Sequence, residues 1–319
     1  MARNALGLRV GELVEVRSYS EIAVTLDERG RLDGLPFMPE MVKHCGKRFT
    51  VHGRAERTCV ETHRARGMDH TVWLKDARCT GEGHDSCTIG CLIFWKEAWL
   101  KRVKPTDQQS PSDVPVDMNF PYPTKDVVTG RYLCHSSELY EATYPLGLWG
   151  NIRSYLRDIY FRNLSIPRFL KVAFIYLNLK IRGRYGDIVP MRGDKTKTPA
   201  ESLDLQPGDW VEVKSPQEIL ETLDSSGRNR GLAFQPEFVE YSRGHFQVLR
   251  RADHFIDEST GQMRNPKNTV ILKDVVCTGT CRRGCVRNGL LLWREIWLRK
   301  IDPAAGSRHV AGDGGMNDA

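Results

Sequence analysis

The chain has 319 residues, of which 40% are apolar and 27% charged, with a formal net charge of +7 and a mean hydropathy of −0.44. This length predicts two or three compact globular domains. The amino-terminal residues contain no apolar signal core, and no apolar run is long enough to cross a bilayer, so we expect a cytoplasmic protein without a secretory signal.

One stretch of sequence occurs twice, at 71–101 and at 269–299. Each copy reads as a strand, a cysteine-rich loop and a second strand with the pattern W-[KR]-E-x-W-L. The spacing from the first cysteine of the loop to the first tryptophan is the same in both copies, and Cys87 and Cys285 also fall in register. The similarity extends over 11–103 and 208–301 at an offset of 197 or 198 residues. The chain therefore contains an internal duplication.

The same local signals recur in each copy. A G-[DE]-x-V-E-V strand is followed by a capping box, Ser18 with Glu21 in the first copy and Ser215 with Glu218 in the second. A proline then begins a short second helix, and apolar alternation indicates the later strands. For the first copy we predict, in order, a strand at 11–16, a helix from Ser18 to about Asp27, a helix from Pro39 to Gly46, and strands at 49–59, 71–79 and 92–103. For the second copy we predict a first strand at 208–213, a helix opened by Ser215 and a second short helix between Pro236 and Gly244.

The last strand of each copy carries two tryptophans four residues apart. In a strand that spacing places both on one face, and we predict that they belong to the core. Glu97 and Glu295 share that face by parity, so we expect buried acids paired to arginine or lysine.

The segments outside the repeats differ in composition. Residues 104–130 are rich in Pro, Ser and Asp and predict a linker. Residues 131–186 predict a basic helical segment with helices at 149–161 and 167–181. Between Trp149 and Gly186 it has eight Lys or Arg residues against Asp158 alone. We predict a second linker at 187–207 and a disordered tail at 302–319.

The G-[DE]-x-V-E-V opening resembles the first strand of SH3-like small β-barrels of the KOW and Tudor type. The two-repeat pattern as a whole resembles a group of uncharacterised bacterial two-repeat, cysteine-rich proteins, which implies no particular chemistry. The predicted fold class is α+β: two duplicated, mainly-β modules, in which the resemblance implies SH3-like barrels, separated by a helical segment.

Eight of the nine cysteines lie in the two repeats, and clustering of this kind favours a metal over disulfides. Thiolates bind zinc, and four of them make a closed structural site. Antiparallel strands at 49–59 and 71–79 place the end of the second beside the start of the first. We therefore predict a zinc site in repeat one from Cys45, Cys79, Cys87 and Cys91. Rival ligands there are Cys59 and His84.

Repeat two offers only three thiolates, Cys277, Cys281 and Cys285, because Ser242 and Gly289 stand at the positions of Cys45 and Cys91. His245 or His254 could supply a fourth ligand and close the site. Three ligands with an open position are instead what a catalytic zinc requires. Iron or an iron–sulfur cluster uses the same thiolates, so the spacing leaves the metal open.

Three functions compete. The first is a non-enzymatic, zinc-stapled accessory or interaction protein that binds a protein partner through its β modules and basic helical segment. The second is a metalloenzyme with an open site in repeat two and a closed structural site in repeat one. The third is nucleic-acid binding, and residues 149–186 are a candidate surface for nucleic acid or for an anionic membrane. Since no phosphate loop or nucleophile motif is present, we predict the first function.

Overall fold

The computed structural model describes residues 5–55, 57–60, 65–108, 119–167, 169–170, 174, 191–279 and 287–302. Its strands are β1 Leu13–Val16, β2 Arg31–Leu32, β3 Leu35–Pro36, β4 Arg48–Arg54, β5 Arg57–Cys59, β6 Ala65–Gly67, β7 Thr71–Arg78, β8 Leu92–Lys96, β9 Leu100–Arg102, β10 Tyr144–Pro145, β11 Trp210–Val213, β12 Arg228–Asn229, β13 Leu232–Ala233, β14 His245–Arg251, β15 Phe255–Ile256, β16 Met263–Arg264, β17 Thr269–Val276, β18 Leu290–Arg294 and β19 Leu298–Ile301. Its helices are α1 Tyr19–Ala23, α2 Pro39–Val42, α3 Leu148–Tyr160 and α4 Pro216–Leu220, with 3-10 turns at Glu97–Trp99, Pro236–Tyr241 and Glu295–Trp297.

The chain divides into two compact units. The first contains Met1–Phe169, His254–Arg264 and Gly284–Asn288, and the second contains Leu170–Asp253, Asn265–Arg283 and Gly289–Ala319. We predicted one module over 208–301, but its β15–β16 segment belongs to the first unit, where the Gly261 carbonyl accepts from the Tyr132 amide at 2.8 Å.

The first unit is built on a five-stranded antiparallel sheet in the order β8-β7-β4-β1-β9. Its last strand returns to pair with the first, with Val16 opposite Leu100, so the sheet curls into a half-barrel. The prediction of one continuous strand at 92–103 is wrong, because a 3-10 turn at Glu97–Trp99 separates β8 from β9. That turn lets the two strands occupy opposite edges of the sheet.

The second unit repeats this architecture with the order β18-β17-β14-β11-β19. A 3-10 turn at Glu295–Trp297 again precedes the returning strand. The prediction of two duplicated, mainly-β modules in an α+β chain is confirmed.

Both predicted capping boxes are present. Ser18 accepts from the Glu21 amide at 3.3 Å, and Ser215 accepts from the Glu218 amide at 3.4 Å. The first helix ends at Ala23, earlier than the predicted Asp27. The turn after each short helix is tied to the 3-10 turn before the last strand by an indole: Trp99 Nε1 donates to Thr25 Oγ1 at 3.0 Å, and Trp297 Nε1 to Thr222 Oγ1 at 3.1 Å.

The four repeated tryptophans are fully buried, as predicted for a core: Trp95, Trp99, Trp293 and Trp297.

Each module also begins before its predicted boundary. Leu8 precedes the first predicted strand and Leu205 lies in the predicted linker, and both are fully buried in the two cores; we call the residues just before β1 and just before β11 the lead-in of each module. The segment just before each first strand is therefore part of the packed module.

The prediction of buried acids paired to arginine is confirmed in both units. Arg54 Nη1 donates to Glu97 Oε1, and Arg251 Nη1 donates to Glu295 Oε1 at 3.2 Å. Glu97 also accepts from the amides of Gly7 and Leu8, and Glu295 accepts from the amides of Leu203 and Asp204. In both modules, a buried glutamate that is paired to an arginine therefore also binds the backbone of the residues before the first strand.

The predicted helix at 149–161 is present as α3. The predicted helix at 167–181 and the predicted tail at 302–319 lie almost wholly outside the described residues. No helix among the described residues is long and apolar enough to cross a membrane.

Candidate metal centre

Three side chains with metal-binding atoms meet in the first unit. Glu40 lies in the first turn of α2, Cys79 follows the last residue of β7, and His84 lies in the turn between β7 and β8. Their ligand atoms all lie within 4.8 Å of one another. Among the described residues, no other group of three or more such side chains approaches as closely.

The loop after β7 is shaped by a glycine. Gly81 has a positive φ of 77°, and a Cβ there would lie 2.1 Å from the carbonyl oxygen of Cys87. The chain turns tightly at this point, with the His84 and Ser86 amides donating to the Gly81 carbonyl. This turn brings His84 back beside Cys79.

Glu40 is the hub of the group. Its Oε1 accepts from His84 Nδ1 at 2.8 Å and from the Gly83 amide at 3.1 Å, and it lies 3.7 Å from Cys79 Sγ. Its Oε2 is buried and has no hydrogen-bond partner within the described part of the chain. A buried carboxylate oxygen without a partner is costly, and a cation would satisfy it.

The electrostatics of the group favour a positive ion. Burial would raise the pKa of Glu40, but the hydrogen bond and charge of His84 lower it to about 2. Burial raises the pKa of the Cys79 thiol well above its usual range, and the Glu40 charge and the Cys91 thiol raise it further. A divalent cation would reverse the effect on Cys79, because it stabilises the thiolate directly.

These residues fit zinc. A thiolate, an imidazole nitrogen and a carboxylate oxygen are all zinc ligands. If His84 binds through Nδ1, its Nε2–H is left to donate to the Leu133 carbonyl, 3.4 Å away. Ligating histidines are oriented by a bond of this kind from the other ring nitrogen. The group supplies three protein ligands, which leaves a fourth position for water or another donor.

The structure does not bring the four predicted cysteines together. Of Cys45, Cys79, Cys87 and Cys91, only Cys79 belongs to the group. Cys45 is buried in the core, where it adds to the effects of burial and of Tyr122 in raising the pKa of Tyr19. Cys59, the rival ligand, lies at the end of β5.

Two other thiols act on the surroundings of the group. Burial raises the pKa of Cys91 to about 12, opposed by the positive charge of Arg287 and reinforced by the thiols of Cys87 and Cys134. Cys134, which lies outside both repeats, also raises the pKa of Cys79. The thiols of Cys91 and Cys134 therefore act on the group through their charge, but His84, predicted as a rival ligand, is the residue that belongs to it.

Glu40 was absent from the candidates, since an acid in the first turn of a helix is an ordinary helix-dipole feature. The duplication contains a signal for it. The Pro-Glu pair that begins α2 recurs as Pro236 and Glu237, and Glu237 is also buried. Its Oε1 has no hydrogen-bond partner among the residues described.

Two of the three thiolates of the predicted open site in repeat two lie outside the described residues. Cys277 is half-buried after β17, while Cys281 and Cys285 lie outside the described residues. His245 begins β14 in the second unit, and His254 belongs to the first unit. The three-thiolate site therefore stays a prediction.

Comparison with known proteins adds no further constraint. No protein-family model, curated protein or solved structure matches the chain.

Proposed function

We propose that this chain is a non-enzymatic, zinc-stapled interaction protein of the cytoplasm. Zinc binds Glu40, Cys79 and His84, and a protein partner binds the β modules and the basic helical segment. The observation that carries the proposal is the buried Glu40 carboxylate, held beside Cys79 and His84 with one oxygen unsatisfied.

The position of the group favours a structural role. Glu40 belongs to α2, whereas Cys79 and His84 lie in the loop between β7 and β8, so a shared ion would fasten the helix to the loop that joins these two strands. Three protein ligands would also suit a catalytic zinc, but Glu40 and His84 are both buried, so we assign the fourth position to water or a further protein donor and not to a substrate. A structural zinc contributes directly to folding free energy.

Two aromatic rings of the basic segment pack against arginines of the first unit, so these two rings offer no stacking surface to nucleic acid. The Arg57 guanidinium lies 3.7 Å from the Tyr155 ring centroid, and that of Arg54 lies 4.1 Å from the Phe161 centroid. Bases stack on exposed rings, and these two are covered by arginine.

Elemental analysis of the purified full chain tests the proposal. We expect zinc in the wild type, its loss from the first-unit site in Cys79→Ser and its retention in Cys59→Ser, the matched cysteine outside the group. A wild type without bound metal would refute the proposal. Loss of zinc in both variants alike would refute the assignment to Glu40, Cys79 and His84.

A further inference from the structure

Helix α3 is turned with its polar side inward. Ser154 and Asp158 are buried against the first unit, and Asn151 and Tyr155 on the same side are half-buried. The opposite side carries Trp149, Ile152, Leu156 and Tyr160, all exposed. A helix on a globular protein ordinarily buries its apolar stripe, so α3 is inverted with respect to that rule.

Polar contacts fix this orientation. Asp158 Oδ2 accepts from Arg57 Nη2 at 3.1 Å, and both side chains are buried. Asn163 donates to Asp158 Oδ1 at 2.8 Å and accepts from the Arg54 amide at 2.6 Å. Rotating the helix to bury its apolar stripe would break these bonds and leave Arg57 without its acid, which is strongly unfavourable.

The exposed stripe is large. Trp149 is 80% exposed, Leu156 64% and Tyr160 61%. The next residues along the described chain continue the pattern, because Ile166 and Leu170 are also exposed. A contiguous exposed apolar patch of this kind marks a protein or membrane contact.

The exposed charges of α3 and of the described residues just after it have one sign. Arg153 and Arg162 are exposed, and the Arg9 guanidinium lies 4.6 Å from the Tyr160 ring centroid. Asp158, the single acid between Trp149 and Gly186, is buried and neutralised by Arg57. The exposed side of α3 therefore presents apolar and cationic groups together.

We propose that this exposed face of α3 docks on an anionic lipid bilayer, with the helix lying in the plane of the interface. A helix with an apolar face, arginines beside it and a tryptophan and a tyrosine near its two ends is typical of interfacial binding. Nucleic acid would meet the arginines but would leave the apolar stripe in water. The proposal goes beyond the interaction role given above, because it assigns α3 of the basic helical segment to a bilayer and not to a protein partner, and it does not involve the zinc ligands.

Vesicle co-sedimentation of the full chain tests the proposal. The protein is mixed with vesicles of phosphatidylcholine alone or of phosphatidylcholine with phosphatidylglycerol, at low and high salt. We expect binding to the anionic vesicles that weakens as salt increases. Trp149→Gln with Leu156→Gln should weaken it about tenfold or more, since two large apolar side chains no longer enter the interface.

Matched control variants distinguish an effect of the exposed face of α3 from the effect of changing any exposed apolar or charged residue. Val127→Gln with Val128→Gln removes two almost fully exposed apolar residues from a turn in the same unit and should leave binding unchanged. Arg153→Glu should weaken binding roughly fivefold or more. Arg192→Glu makes the same charge change at an exposed site of the second unit and should have little effect.

Three results would overturn the proposal: no sedimentation with anionic vesicles, equal losses in the stripe variant and its valine control, or stripe-dependent self-association or duplex DNA binding without vesicle binding. Zinc content is measured on the same preparations. A wild-type protein that holds zinc but does not bind anionic vesicles would count against the docking proposal alone, and a wild-type protein that binds the vesicles but holds no zinc would count against the metal site alone.

Discussion

Replacing Glu97 by Gln tests how the lead-in is fastened to the first module. Glu97 accepts from Arg54 and from the amides of Gly7 and Leu8, and the Arg54 side chain is only 1% exposed. Glutamine keeps the shape of Glu97 but removes its charge, which leaves a buried guanidinium held by the Leu8 carbonyl and the Phe161 ring. Removing one partner of a buried ion pair costs about 3–5 kcal/mol in unfolding free energy.

The second module provides the matched comparison. Arg251 is 26% exposed and also pairs with Asp253, so Glu295→Gln leaves a cation that water and a second acid can stabilise. We expect Glu295→Gln to cost about 1–2 kcal/mol, less than Glu97→Gln. Urea unfolding of both variants measures the difference, and an Arg54→Met double-mutant cycle gives the coupling energy of the buried pair. Equal losses in the two modules, or a larger loss for Glu295→Gln, would refute the reasoning from burial.

Three further outcomes are expected. Burial lowers the pKa of His135 from 6.5 to about 3, so the unfolded chain takes up the proton first as the pH falls. The free energy by which the wild type is more stable than His135→Gln should therefore shrink by up to about 1.4 kcal/mol per pH unit below 6.5. A difference that does not change with pH would contradict this. Trp99→Phe and Trp297→Phe should each cost roughly 1–3 kcal/mol in urea unfolding through the lost indole hydrogen bond, and a loss in one copy only would contradict their equivalence. Gly81→Ala should lower both the free energy of unfolding and the zinc content, because the added Cβ would collide with Cys87. Gly130 also has a positive φ, but an added Cβ there meets no other atom, so Gly130→Ala should cost only about 1 kcal/mol and keep zinc. Equal effects of the two substitutions would refute the steric argument.

Local signals predicted the repeated elements well. The Ser18 and Ser215 capping boxes form as expected because each depends on a side chain and an amide three residues apart. The break between β8 and β9 was not predicted, since the alternating tryptophan pattern continues through 92–103 without a turn residue. The 3-10 turn at Glu97–Trp99 arises from tertiary pairing, in which Leu100 joins the edge of β1. A local pattern contains no information on that pairing.

The candidate metal site was predictable only in part. Cysteine spacing identified Cys79 and suggested His84, because both lie in one loop. Glu40 joins them through a contact across 39 residues of chain, which no spacing rule contains. The hairpin argument placed Cys45 near Cys79 from strand register alone, but α2 presents Glu40 to Cys79.

X-ray absorption at the zinc edge tests the central claim most directly, because it reports the ligand atoms around the metal. The Glu40, Cys79 and His84 site predicts a mixed shell in the first unit, with sulfur at about 2.3 Å and nitrogen or oxygen at about 2.0–2.2 Å. Cys281→Ser with Cys285→Ser removes two thiolates of repeat two and isolates the signal of the first unit. Loss of the nitrogen contribution in His84→Ala would support the account. A shell of four sulfur atoms, unchanged in His84→Ala, would contradict it and restore the four-cysteine site.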